Sequence, residues 1–199
     1  MIRSYSQVDQ DLWVLEMLNN KKNGYFLDVG AYDGIKYSNS LLLEKDFDWS
    51  GLLIEAHPDN FNTLKNNRKN TLVPYAVSDY NGKIIFENEC GTGSKVVEKN
   101  GLSIDCITFE KMFEMYNVPN YIDYISLDIE GMEYLSLTKF PFDKYKFKLL
   151  TVEHNLYMSG SENKEKIKDI LLKNGYVIYK ENVSHNELPF EDWYINPNI

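Results

Sequence analysis

A chain of 199 residues, 43% hydrophobic and 14% aromatic, can bury one substantial core, so a single domain spanning 1–199 is expected. Its 30 acidic against 21 basic side chains leave a net charge of -9, which disfavours nucleic-acid phosphates and anionic membranes as partners. Two cysteines, Cys90 and Cys106, lack CxxC spacing and supply neither a disulfide framework nor a zinc site, and the opening MIRSYSQVDQ has no apolar leader or anchor, so the expected setting is the cytoplasm.

In chain order, Val8, Leu12, Leu15 and Leu18 recur at helical steps and predict an N-terminal helix, with Gln7, Asp11 and Glu16 on its other faces and a loop over 19–24. Strand one is expected at Tyr25 to Val29, a helix at Ser38 to Lys45, strand two at Leu52 to Glu55, a helix from Pro58 to Arg68, and strand three at Leu72 to Val77. The clusters Lys65, Arg68, Lys69 and Lys164, Lys166, Lys168 read as solvated helix faces. A further strand is expected at Lys83 to Glu89, then a polar loop to Gly101, a helix at Thr108 to Tyr116, a strand at Tyr121 to Asp128 and a helix at Met132 to Lys139. The strand LLTVE at Leu149 to Glu153, the amphipathic helix Glu165 to Lys173, and two closing strands at Tyr176 to Lys180 and Asp192 to Ile195 complete the chain. Such alternation predicts an α/β fold: a Rossmann-like, doubly wound, mostly parallel sheet whose hairpin-linked last strand is antiparallel near one edge.

Ligands of such sheets bind at the carboxyl ends of the strands. YFLDVGAYDG, from Tyr25 to Gly34, reads as a strand feeding a nucleotide-binding turn, and GLLIE ends a second strand on Glu55, an acid suited to ribose hydroxyls. A dinucleotide needs a pyrophosphate cradle of the G-x-G-x-x-G kind, whereas here only Gly30 and Gly34 are available and Asp28 would repel a pyrophosphate. S-adenosylmethionine fits better than NAD, because Asp28 can face an amine or a sulfonium.

The order of FLDVGAYDG, SNSLLLE (Ser38 to Glu44), WSGLLIEAHP (Trp49 to Pro58), AVSD (Ala76 to Asp79), YISLDIEGMEYL (Tyr124 to Leu135) and TVEHN (Thr151 to Asn155) resembles the FkbM-type family of class I S-adenosylmethionine-dependent methyltransferases. The resemblance implies a seven-stranded sheet, with a cofactor half over 25–80 and a catalytic and substrate half over 121–199 behind the N-terminal helix and loop of 1–24. It implies that Asp28, Gly30, Ala31 and Gly34, with Asn39, line the methionine and ribose side of the cofactor. Glu55 would hold the ribose diol, and Ala56, Ala76 and Val77 would flank the adenine. It also implies O-methyl transfer to a hydroxyl of a sugar, glycan or related small molecule.

A sugar hydroxyl does not ionise at neutral pH, so a base must take its proton or a metal must acidify it. His154, following a buried strand, is the expected general base, with Asp128 and Glu130 beside it as catalytic acids. Asp128, Glu153 and His154 could instead hold Mg or Mn, while the competing reading gives Asp128 and Glu130 to the turn before the following helix. Acceptor contacts are expected from 90–96, 155–160 and 185–193. Tyr176 and Lys180 have the Tyr-x-x-x-Lys spacing of a NAD-dependent oxidoreductase, but in a strand they do not form its helical constellation. A cofactor-binding subunit without catalysis is the non-enzymatic alternative. Oligomeric state leaves no mark in the sequence.

Overall fold

The structure is a computed structural model that describes residues 2–87, 91, 93 and 95–199, apart from the side chains of 158 and 159. Cys90, Thr92 and Ser94 of the expected acceptor loop 90–96 lie outside the described residues.

The chain opens with α1 (Gln10–Met17), whose buried positions are Gln10, Asp11, Trp13, Val14 and Leu15. The expected face is thus rotated: Asp11 is buried because Ser4, Tyr5 and Ser6 all donate to its carboxylate, and Val8, Leu12 and Leu18 pack only partly buried against the core. There follow β1 (Tyr25–Val29), α2 (Leu41–Phe47), β2 (Ser50–Ile54) and α3 (Pro58–Asn67). Pro58 opens α3, where its missing N–H costs nothing, and the His57 ring accepts from the Asp59 amide at 3.3 Å as the cap.

The single third strand expected at 72–77 is two strands. β3 (Thr71–Val73) joins β2, and β4 (Ala76–Val77) turns away into a second sheet, because Pro74 between them has no N–H to continue a ladder. That second sheet, ordered β4-β6-β5, contains β5 (Gly82–Phe86) and β6 (Leu102–Ile107). β6 follows directly on the expected polar loop in a stretch given no element of its own, although Ile104 and Cys106 alternate with exposed Ser103 and Asp105 at a strand's period of two.

After α4 (Phe109–Tyr116) come β7 (Tyr121–Leu127), α5 (Glu133–Thr138), β8 (Lys146–Glu153), the short α6 (Leu156–Ser159), α7 (Ser161–Lys173), β9 (Val177–His185) and β10 (Leu188–Ile195). The main sheet has seven strands in the order β3-β2-β1-β7-β8-β10-β9. β10 is antiparallel to both neighbours, one strand in from the edge, as the hairpin required. Alternation along β1 sends Phe26 to a cluster with α1, α2 and α3, and Leu27 and Val29 to a cluster with α4, α5 and α7, so helices cover both faces.

Two basic clusters are not fully solvated. Arg68 is 5% exposed and ties Glu44, Ser38, Ser40 and the Gly34 carbonyl together. Lys164 is 7% exposed and lies 3.7 Å from Asp192. No helix among the described residues is long and apolar enough to cross a membrane.

Candidate active site

Two open cavities lie beyond the carboxyl ends of β1, β2, β7 and β8, with about 530 and 1010 Å³ of unfilled space counted out into solvent. Gly30, Tyr32, Asp128 and Glu130 line both. The turn after β1 is held by the Gly30 and Ala31 amides, which both donate to the Ile54 carbonyl at 2.9 Å. Gly30 has φ +97°, and a Cβ there would fall 1.7 Å from the Asp128 carbonyl oxygen, so only glycine lets the ends of β1 and β7 approach this closely.

The first cavity is mostly apolar. Ile54, Ala56, Ala76, Val77 and Phe86 supply apolar walls, and Glu55 supplies a carboxylate at their edge. Glu55 accepts from the Tyr32 amide at 2.9 Å and the His57 amide at 2.7 Å, with the Asn60 amide group at 3.4 Å. Burial pushes its pKa up to about 7 against the pull of these donors.

The second cavity is polar. Asp28, Ala31 and Asn39 line it, together with Ser126, Glu153 and Tyr157. Asp28 accepts from Ser40 Oγ at 2.5 Å; burial raises its pKa, and Ser40 and the nearby Arg68 partly offset that. Asn39 donates to Ser126 Oγ at 2.9 Å. Two buried oxygens, Asn39 Oδ1 and Glu153 Oε2, have no hydrogen-bond partner among the described residues and belong to residues that line this cavity. Such groups are costly unless a ligand donates to them.

Asp128, Glu130 and Glu153 bring carboxylate oxygens within 4.8 Å of one another. Burial drives Asp128 and Glu153 far above the ordinary carboxylate range, and repulsion from neighbouring acids adds to it. Burial likewise raises Glu130 to about 7, aided by the charge of Glu133.

Two expected site residues, His154 and Gly34, stand away from both cavities. His154 lines neither cavity: its ring is 2% exposed, Nδ1 accepts from the Leu156 amide at 3.2 Å, and Nε2 lies 3.3 Å from Asp192 Oδ1. One step along the backbone from Glu153 turns its side chain away from the cleft, so the carboxylate cluster contains Glu130 where the histidine was expected. Gly34 lines neither cavity; a Cβ there would meet Arg68 Cγ and Leu64 Cδ1, both at 2.5 Å, so it serves the packing of α3 on the loop. The turn before α5 is capped by Glu133, which accepts from the Ile129 and Gly131 amides, leaving Asp128 and Glu130 to the cleft. Glu133, in EGMEYL, sits where an acid in a helix's first turn satisfies exposed amides, and that signal was available in the sequence. Tyr176 is stacked on Phe147 in the core with ring centroids 4.1 Å apart, which removes the oxidoreductase constellation.

The sheet order, the glycine turn and the acid at the end of β2 define a class I S-adenosylmethionine-dependent methyltransferase. Solved structures share the fold. A methyltransferase FkbM from Methylobacillus flagellatus superposes with a TM-score of 0.57 at 16% identity, over 87% of this chain and 43% of that one. Fibrillarin from Aeropyrum pernix, with natively bound S-adenosylmethionine, gives 0.55 at 11% identity over 96% and 74%. Magnesium protoporphyrin IX methyltransferase from Synechocystis, also with the cofactor bound, gives 0.55 at 11% over 92% and 74%. Comparison with curated protein sequences gives no match. The chain belongs to the FkbM methyltransferase domain family, whose pattern matches residues 28–178, and S-adenosylmethionine is its methyl donor.

Proposed function

We propose that the protein is an O-methyltransferase acting on a hydroxyl of a sugar, glycan or related small molecule, with the Asp128–Glu153 carboxyl pair as general base. The observation that carries this reading is the unpartnered Glu153 Oε2 beside the second cavity, in a carboxyl group that comes within 4.8 Å of the carboxylate oxygens of Asp128 and Glu130. Two carboxyl groups sharing one proton keep a single negative charge, and burial makes the remaining carboxylate a stronger base than a solvated one. Bound S-adenosylmethionine supplies an electrophilic methyl group. The acceptor oxygen forms the new C–O bond as the S–CH3 bond breaks, S-adenosylhomocysteine departs, and the hydroxyl proton passes to the pair. Glu55 binds the ribose diol, the apolar walls of the first cavity take the adenine, and Asn39 Oδ1 accepts from a ligand donor.

A second reading has specific support: Asp128, Glu130 and Glu153 together suit a hard divalent cation such as Mg or Mn, whose charge would replace the proton and acidify the hydroxyl. Product analysis by mass spectrometry with hydroxylated acceptors, repeated with EDTA and then with Mg or Mn restored, separates the two. A methyl ether formed in EDTA, and lost in Asp128→Asn with homocysteine-product affinity retained, supports the carboxyl base. Activity that vanishes in EDTA and returns with the ion supports the metal, and methylated nitrogen overturns the O-methyl reading.

A further inference from the structure

The second cavity extends outward from the carboxylates to a rim built by segments far apart in the chain. The N-terminal segment winds around Asp11, which accepts from Ser4 Oγ at 2.6 Å, Ser6 Oγ at 2.8 Å and the Tyr5 amide at 2.8 Å. Ser6 then pairs with Tyr37 in the loop before α2, and Gln7 Nε2 lies 2.7 Å from His185 Nδ1 at the end of β9. Tyr37 is held at φ 56°, which a bulky side chain rarely adopts, with its ring edge-on to His185 at 6.3 Å. Asp33 Oδ1 accepts from the Ile35 and Lys36 amides, both at 2.8 Å, and so sets the loop that presents Lys36. The Lys36 ammonium stands 5.2 Å from the Tyr37 ring centroid. Among the described residues no carboxylate lies within ion-pair distance of it. Gln7, Lys36, Tyr37 and His185 all line the cavity.

Lys36 is exposed and lines a cavity that Asp28, Asp128, Glu130 and Glu153 line as well. The two ends therefore differ in sign. We propose that this rim is the acceptor subsite for an anionic group, a carboxylate or phosphate carried by the hydroxyl compound, so that the substrate is an acidic sugar or similar molecule. The inference rests on the O-methyltransferase reading of the same cleft. Lys36, steadied over Tyr37, meets the anion; the Gln7–His185 pair adds hydrogen-bonding groups; repulsion from the negative charge that the Asp128–Glu130–Glu153 cluster retains keeps the anion outward and sends the hydroxyl inward. An acceptor bound the other way would place like charges together.

The test is titration of the full chain, saturated with S-adenosylhomocysteine, with methyl glucuronide, glucose 6-phosphate and uncharged methyl glucoside, using wild type and Lys36→Met. Expected are binding of at least one acidic probe about tenfold tighter than the glucoside, loss of that preference in Lys36→Met, and its weakening at about 0.5 M salt, where exposed charges are strongly screened. Equal affinities for the three sugars, no binding of either acidic probe, or a preference that survives Lys36→Met would overturn the subsite. So would a Lys36→Met protein whose homocysteine-product affinity falls instead, since Lys36 would then serve the cofactor's own carboxylate. Methyl transfer is scored separately: an acidic probe that binds through Lys36 without being methylated counts against the O-methyl reading and leaves the subsite standing, whereas methylation of neutral sugars alone, unaffected by Lys36→Met, sinks the subsite and leaves that reading intact.

Discussion

Glu55 and Glu153 stand at the carboxyl ends of strands in the same sheet and are almost equally buried, at 6% and 7% exposed, yet their surroundings are opposite. Glu55 is met by two backbone amides and an asparagine, all within a short stretch around β1 and α3, and its pKa rises only to about 7. Glu153 meets Asp128 and the charge of Glu130, keeps one oxygen unpartnered among the described residues, and is pushed much further. A carboxylate surrounded by donors is organised for binding, while one facing other acids is poised to exchange a proton or hold a cation.

The sharpest way to break this contrast is Glu153→Gln, which keeps the shape and removes the base. Turnover should fall by about 10²- to 10⁴-fold with homocysteine-product affinity nearly unchanged, measured by single-turnover kinetics and calorimetry. An equal loss of affinity would place Glu153 with the cofactor. Glu55→Gln should do the reverse, weakening S-adenosylhomocysteine by roughly one to two powers of ten while saturating cofactor restores most turnover.

The raised pKa of Glu55 sharpens the same point. Its folded value of about 7 lies above the unfolded carboxylate value, so its stabilising contribution is complete below the unfolded pKa and is lost as pH rises through 7. Only the ionised form accepts both ribose hydroxyls fully. The cofactor-free protein should therefore melt at lower temperature from pH 5 to 8 through this group while homocysteine-product affinity rises, and Glu55→Gln should flatten both trends; a pH-independent affinity in the wild type would contradict the assignment.

His154→Ala tests the neighbour that faces the other way. It leaves the buried Asp192 Oδ1 with the Asn182 amide at 2.7 Å but without the imidazole, which should cost about 1 to 3 kcal/mol and lower the melting temperature by several degrees. Turnover per folded molecule should change less than about threefold; a drop comparable to that of Glu153→Gln would return the base to His154. At the small end, Asp105→Asn breaks an ion pair with Lys83 whose side chains are both more than half exposed, and should shift stability by less than about 0.5 kcal/mol.

The cofactor half was largely legible because its pieces are local. Asp28, Gly30 and Glu55 fall within one strand–turn–helix–strand unit, and the conformational need for glycine at φ +97° is written in the residue type. The catalytic half was less so. A one-residue step separates Glu153 from His154 but selects opposite faces, and choosing by chemical type favoured the histidine. Asp11, Arg68 and Lys164 read as solvated charges because their partners, Tyr5 and Ser6, Glu44 and Ser40, and Asp192, are supplied by the folded chain.

The amino-acid sequence by itself determined the alternation of strands and helices, the hairpin that makes β10 antiparallel, the glycine turn and the acid that follows β2, since each depends on periodicity, backbone freedom or position at a strand end. Tertiary structure alone decided which acids meet. The Asp128–Glu130–Glu153 cluster, the turning away of His154 and the rim of Gln7, Lys36, Tyr37 and His185 arise from side chains of distant segments converging in one cleft, and a linear pattern carries no record of which distant side chains share a wall.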